Sequence, residues 1–333
     1  MMGRCIYILS SGVLKRKDNT IVIESENERK FIPVEVTDEI LIFGEVDLNK
    51  RFLEFCTSNE IMLHFFNHHH YYQGTYYPRE HMNSGAVILA QARHCLDPEK
   101  RLVLAKKFVS GAINNMKKVL LYYLRRGNLE VDQTIEALDN FDVLSQKQNG
   151  ILELMAIEGN ARDRYYSAFD MITGGGAFTM ESRTRRPPQN KLNALISFLN
   201  SLCYVTTLAQ IYKTHLDPRI GFLHETNFRR FSLNLDIAEI FKPILVDRLI
   251  FSLINKKQIQ SKHFTGQDNG GVFLSEKGMQ IVLQAWEERL MATIEHPKLK
   301  RNVSYRSLLR MDAYKLEKHI LDDEVYEPFL MRW

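Results

Sequence analysis

The spacing of apolar residues changes once along this chain, near residue 84, and that change limits the fold more than any other feature. Before it, "CIYIL", "TIVIE", "KFIPVEV" and "EILIFG" are short β-rich runs divided by turn residues such as Asp18-Asn19. "NKRFLEFCTSNE" predicts one short helix, after which "IMLHFF" and "GTYYP" resume strand character. After the change the spacing is helical. "SGAVILAQARHCL" is one amphipathic run, and a second opens with Asp97 as N-cap and Pro98 at the first helical position, continuing to Gly127. Nearly everything beyond reads as helix. The fold class is therefore α+β. A β-sandwich-like domain is expected over residues 1–83 and a larger all-α domain over residues 84–333, with the boundary in the turn at 78–84. Two domains also suit a chain of 333 residues.

Charge divides along the same line. Residues 1–80 carry nine Lys and Arg against twelve Asp and Glu, a net of −3, although the whole chain is +4. The later part is thus the better surface for an anionic polymer. Cys5, Cys56, Cys95 and Cys203 show no short spacing, which argues against a disulfide framework or a zinc knuckle and for a reducing compartment. The apolar run at the N-terminus is too short for a signal peptide or a membrane span. A soluble cytoplasmic protein with no membrane partner is the expectation. The three histidines of "NHHHYY" cannot all face one metal from a strand, because alternate side chains point to opposite faces, so they read as a polar hairpin turn.

Two stretches place acids where a core residue would be expected. In "ILELMAIEGNARDRYYSAF", a helical stripe of Ile151, Leu154, Met155, Ala161, Tyr165, Ala168 and Phe169 has Glu158 in its middle. An unpaired buried carboxylate is costly, so Glu158 must be neutral, paired or metal-bound. Gly159 beside it leaves room for a backbone or a substrate. The structural alternative is a Glu paired with an Arg. In "GFLHETNFRRFSLNLDIAEIFKPILVDRL", Asp236 and Glu239 share a helix face, with His224 just upstream. Pro243 cannot donate to the carbonyl of residue 239, so a kink is expected there. Asp247 falls near the same stripe. The bland readings are a hydrogen-bonded core histidine and first-turn acids that satisfy the helix dipole. Taken together, two carboxylates and one imidazole favour Mg2+ or Mn2+, the imidazole tilting the set towards Mn2+. Basic clusters at "RTRRPPQNK", Arg229-Arg230, Lys256-Lys257 and "KLKRNVSYRSLLR" suit a phosphate backbone, or else are ordinary helix-surface charge.

At these residues the sequence resembles a known family. "MAIEGNARDRYY", "RTRRPPQNKLNALISFLNSLCY", "DPRIGFLHETNFRRFSLNLDIAEIFKPILVDR" and "VSYRSLLRMDAYKLEKHI" are similar to the CRISPR-associated protein one family, the integrase of spacer acquisition. "FGEVDLNKRFLEFC" and "GTYYPRE" are similar to its N-terminal half. The resemblance implies that Glu158, His224 and Glu239 take the places of the three catalytic metal ligands. Asp236 matches an acidic position beside the metal in some members. The third ligand is Asp in part of the family, and Glu239 reaches one methylene further. The resemblance also implies an N-terminal β-domain that forms a homodimer interface, a helical metal-binding domain, and assembly with the small second CRISPR adaptation protein.

The expected function is a metal-dependent endonuclease and integrase that inserts short foreign DNA into the CRISPR repeat array. Mn2+ or Mg2+ would be the cofactor and double-stranded DNA the substrate. Arg183, Arg186 and Lys242 are candidate DNA-binding residues. The rival readings are a non-catalytic nucleic-acid-binding scaffold and, further off, a carboxylate-pair hydrolase.

Overall fold

The structure, a computed structural model, describes residues 4–25, 28–79, 82, 84–225, 231–266, 270–296 and 298–332. The chain divides into two compact units, Met1–His81 and Met82–Trp333.

The first unit holds two four-stranded sheets and one helix. Strands β1 (Arg4–Ile8), β5 (Thr37–Ile42), β7 (Met62–Phe66) and β8 (Tyr72–Tyr76) form one sheet in that order. Its first two pairings are parallel and the last is antiparallel. The other sheet runs β4 (Arg29–Pro33), β3 (Thr20–Glu24), β2 (Gly12–Lys17), β6 (Val46–Leu48). Both sheets and helix α1 (Lys50–Ser58) share one apolar core, in which Ile8, Leu14, Ile21, Ile40, Phe52 and Leu63 are buried. Asn49 caps α1 by accepting the Phe52 N–H at 3.0 Å.

Strands β2 and β6 are absent from the sequence reading. The run "LKRK" hides β2, whose alternation leaves only Leu14 buried. Its pairing with β3 brings Lys17 opposite Thr20 across the Asp18-Asn19 turn, where Asp18 has φ +52°. Residues 68–70 do form a hairpin loop. The Asn67 side chain accepts the His69 and Tyr71 N–H groups at 3.0 Å each. His70 is half-buried, and that burial, reinforced by His69 and His68, drops its pKa to about 4.

The second unit is helical: α2 (Gly85–Leu96), α3 (Pro98–Leu124), α4 (Asp132–Lys147), α5 (Ile151–Tyr166), α6 (Phe169–Thr173), α7 (Lys191–Ile211), α8 (Leu233–Lys242), α9 (Arg248–Asn255), α10 (Glu276–Met291) and α11 (Tyr305–Ile320). Asp97 caps α3 as expected, accepting the Glu99 and Lys100 N–H groups at 3.0 and 3.1 Å. Helix α7 is long and apolar enough to cross a membrane, but it packs at the centre of this unit, where residues such as Leu195, Leu199, Leu202 and Cys203 are wholly buried. Its apolar length belongs to a core helix. The unit also contains two hairpins that the helical reading did not anticipate, β9 (Phe264–Gly266) with β10 (Val272–Leu274) and β11 (Thr293–His296) with β12 (Arg301–Ser304). Each is only three or four residues per strand, too short to show a period of two.

Candidate metal centre

Glu158 leaves α5 where that helix meets α8. Its neighbours Leu154, Ala161 and Tyr165 are fully buried, so the stripe faces the core as its spacing predicted. Its own side chain keeps about 20% of its surface accessible, enough for a substrate to reach it. Space beside Gly159 is open: a Cβ there would meet nothing within 4 Å, so no backbone packs against it.

One turn along α5 stands Arg162, which the sequence reading passed over. It is buried, and its Nη2 donates to Glu158 Oε1 at 3.3 Å and to Glu239 Oε2 at 2.5 Å. The i, i+4 spacing of Glu158 and Arg162 was a visible signal for this pair. Lys242 donates to the other oxygen of Glu239 and lies 4.5 Å from the centre of the Tyr204 ring. It is buried in this cluster, beside the glutamates rather than on the open surface.

These charges set one another's protonation. Burial works against ionised Glu239, but the Lys242 and Arg162 cations prevail and hold its pKa at about 2. Glu158 moves the opposite way. Burial and the negative Glu239 raise its pKa, and Arg162 only partly offsets them. Two carboxylates thus share one guanidinium, and one of them resists ionisation. A divalent ion would relieve that conflict.

His224 precedes α8 and is held by Asp236. The Asp236 carboxylate accepts the Phe222, Leu223 and His224 main-chain N–H groups at 2.6, 3.1 and 2.9 Å, and His224 Nδ1 donates to it at 2.8 Å. Asp236 is wholly buried with both oxygens occupied, so it orients the ring and leaves ligation to Nε2. Gly221 permits the close turn, since a Cβ would lie 2.9 Å from Asp236 Oδ2. The His224 side chain remains 26% exposed. Burial opposes its protonation, but Asp236 outweighs burial and its pKa is raised. The His224 charge acts on both Glu158 and Glu239, which places all three in one electrostatic neighbourhood. Among the described residues no three His, Cys, Asp or Glu side chains are gathered tightly enough to hold an ion in this arrangement. The Arg162 guanidinium takes the position between the two glutamates.

The expected break at Pro243 is a π turn over Pro243–Asp247. Its main-chain bond runs from the Arg248 N–H to the Pro243 carbonyl, one residue further than in an α-helix. In a continuous α-helix residues 239 and 247 would point about 80° apart, and the extra residue reduces that to roughly 20°. Asp247 therefore follows Glu239 and sits in the field of Arg162 and Lys242. It is buried, and burial raises its pKa to about 7.

Arg183 is half-buried and donates to Asn193 Oδ1 at 2.9 Å and Ser197 Oγ at 3.0 Å. Arg186 is exposed. Arg229 and Arg230 lie outside the described residues.

Comparison with known proteins identifies the family. The family model described as CRISPR associated protein Cas1 matches residues 6–288. The chain belongs to the Cas1 family. It is 57% identical over 332 residues to the CRISPR-associated endonuclease Cas1 2 of Thermodesulfovibrio yellowstonii, covering 100% of both chains. A solved Cas1 protein from Thermotoga maritima matches with a TM-score of 0.88 and 48% identity, over 97% of this chain and 99% of that one. A casposase bound to its integration product shares the fold at a TM-score of 0.86, with 19% identity over 98% of this chain and 93% of that one. The relatives that show the family are named as CRISPR-associated endonucleases, and the casposase shows that the same fold also occurs in a protein solved with an integration product.

Proposed function

We propose that Glu158, His224 and Glu239 of this Cas1 protein hold one divalent ion, Mn2+ or Mg2+, and that the chain uses the site for strand transfer on double-stranded DNA. The observation that carries the reading is the His224 ring, fixed through Nδ1 by Asp236, in the electrostatic range of two glutamates that share the Arg162 guanidinium. The donor set fits: two carboxylate oxygens and one imidazole Nε2 suit a hard to borderline ion. When bound, such an ion supplies Lewis acidity at the scissile phosphate.

The chain's own residues do the rest. Asp236 keeps the His224 Nδ1 protonated and directs Nε2 outward. Lys242 and Arg162 hold Glu239 ionised. Their positive charge also suits a phosphate brought against the site. In strand transfer the 3′-hydroxyl oxygen of the incoming DNA forms a new bond to phosphorus. The P–O3′ bond of the repeat breaks, and the proton lost by the attacking hydroxyl matches the one gained by the leaving oxygen. With water as nucleophile the same site cuts DNA. Arg186, which is exposed, is the most accessible of the three candidate phosphate contacts, Arg183 being half-buried and Lys242 buried. By family resemblance the protein works as a cytoplasmic homodimer through its β unit and assembles with the small second adaptation protein.

A purely structural ion pair of Arg162 with two glutamates is the competing account of the same contacts. His224→Ala separates the two. Strand transfer and Mn2+-dependent cleavage should fall on the order of a hundredfold, because a ligand displaced by about 1 Å costs that much. DNA affinity and its salt slope should stay unchanged. Full activity in the variant would leave the structural account.

A further inference from the structure

Residues 325–332 form a strap with no regular structure, and it lies against the helix that carries Glu239. Phe329 stacks on Phe241, with ring centres 5.5 Å apart and planes 9° from parallel. Tyr326 is buried and donates its hydroxyl to Asp312 at 2.7 Å. The strap fits only because α3 has a glycine beneath it. A Cβ on Gly111 would lie 2.8 Å from Pro328 Cβ and 3.3 Å from Ile240 Cγ1.

One side chain joins these parts. Asn115, on α3 and wholly buried, donates from Nδ2 to the Ile240 and Phe329 carbonyls at 2.9 Å each, and its Oδ1 accepts the Met331 N–H at 2.9 Å. All three partners are main-chain atoms. The Ile240 carbonyl follows directly on Glu239 and stands just before the π turn. Pro243 has no N–H to give the Glu239 carbonyl, and the π turn offsets the bonds that follow. Side chains take over there: Asn115 on Ile240, and Arg289 on the Ile244 carbonyl at 2.6 Å. Only a group with both donors and an acceptor can satisfy the helix and the strap together, and the asparagine amide is such a group.

We propose that Asn115 is a positioning residue for Glu239, tying the C-terminal strap of residues 326–331 to the start of the π turn so that the carboxylate leaves α8 in one fixed direction. This rests on the reading of Glu239 as a metal ligand. A supporting shell of this kind acts on metal affinity as well as on stability, typically by 10–100-fold.

The test measures Mn2+ binding by the full chain, from the electron paramagnetic resonance signal of free Mn2+, for Glu239→Gln, Asn115→Ala, Phe329→Ala and the Asn115→Ala/Phe329→Ala double variant. Asn115→Ala and Phe329→Ala should each weaken Mn2+ binding about tenfold, with salt-dependent DNA binding within about twofold of the original. The double variant should be little worse than the worse single one, because both cut the same connection. A lowered melting temperature with unchanged Mn2+ affinity would make Asn115 merely structural and overturn the proposal. Should Asn115→Ala fail to fold, Phe329→Ala, at a half-buried position, decides by the same criterion. If Glu239→Gln abolishes Mn2+ binding while both strap variants bind normally, the ligand reading stands and positioning alone falls. If Glu239→Gln binds Mn2+ normally, both fall.

Discussion

Asp236→Asn tests whether the His224 position is built or incidental. The substitution replaces one carboxylate oxygen with an NH2 group. Either orientation of the amide strands two donors: Oδ2 serves the Phe222 and Leu223 N–H groups, and Oδ1 serves the His224 N–H and ring. A hydrogen bond to a charged acceptor contributes about 1.5–3 kcal/mol, and a buried donor left unpaired costs about 1–3 kcal/mol. Two such losses amount to about 3–6 kcal/mol, or roughly 10 °C in melting temperature for a unit of this size. The deficit has two parts. The main-chain part is independent of pH. The ring part follows from the raised pKa of His224, so it is fully present below the unfolded value near about 6.5 and is lost as pH rises through the raised folded value. Urea unfolding at pH 5.5 and pH 9 should therefore show the larger deficit at the acid pH. Mn2+ affinity should fall about 10–100-fold. Its acid limb should move to lower pH, because metal binding needs neutral imidazole and the ring has lost the carboxylate that favoured its charge. A melting change under about 2 °C, or an equal deficit at both pH values, would refute this account of Asp236.

Asp247→Asn should flatten the pH dependence of stability. Burial raises the Asp247 pKa to about 7, so its contribution is full below the unfolded value near about 3.9 and is lost as pH rises through about 7. The variant should therefore gain on the original chain between pH 4 and pH 8, and a constant difference across that range in urea midpoints would count against it. Deleting the net-negative first unit should leave residues 82–333 as a monomer, and sedimentation as a dimer would place the interface elsewhere.

Much of this protein is legible in its sequence. The change from period-two to helical spacing is local physics, and both units follow it. The cap at Asp97 is local too, and so was the misfit of Glu158 in an apolar stripe. The assignment of Glu158, His224 and Glu239 to one site came from extended motifs, since residues so far apart carry no mark of meeting. Tertiary structure alone decided the partners. Arg162 was one helical turn from Glu158, yet its second contact, with Glu239, comes from another helix 77 residues away. Lys242 reads in sequence as a candidate phosphate contact, because a lysine on a helix is normally solvated. Its burial depends on what packs over it. Pro243 announced a break, but whether it made a kink or a π turn depended on the groups that take up the carbonyls around it. Those groups, Asn115 and Arg289, arrive from α3 and α10. A sequence states which residues cannot rest in water or in a core unaided. Only the packing of distant segments determines which of them satisfy one another, because burial and pairing are properties of neighbours in space.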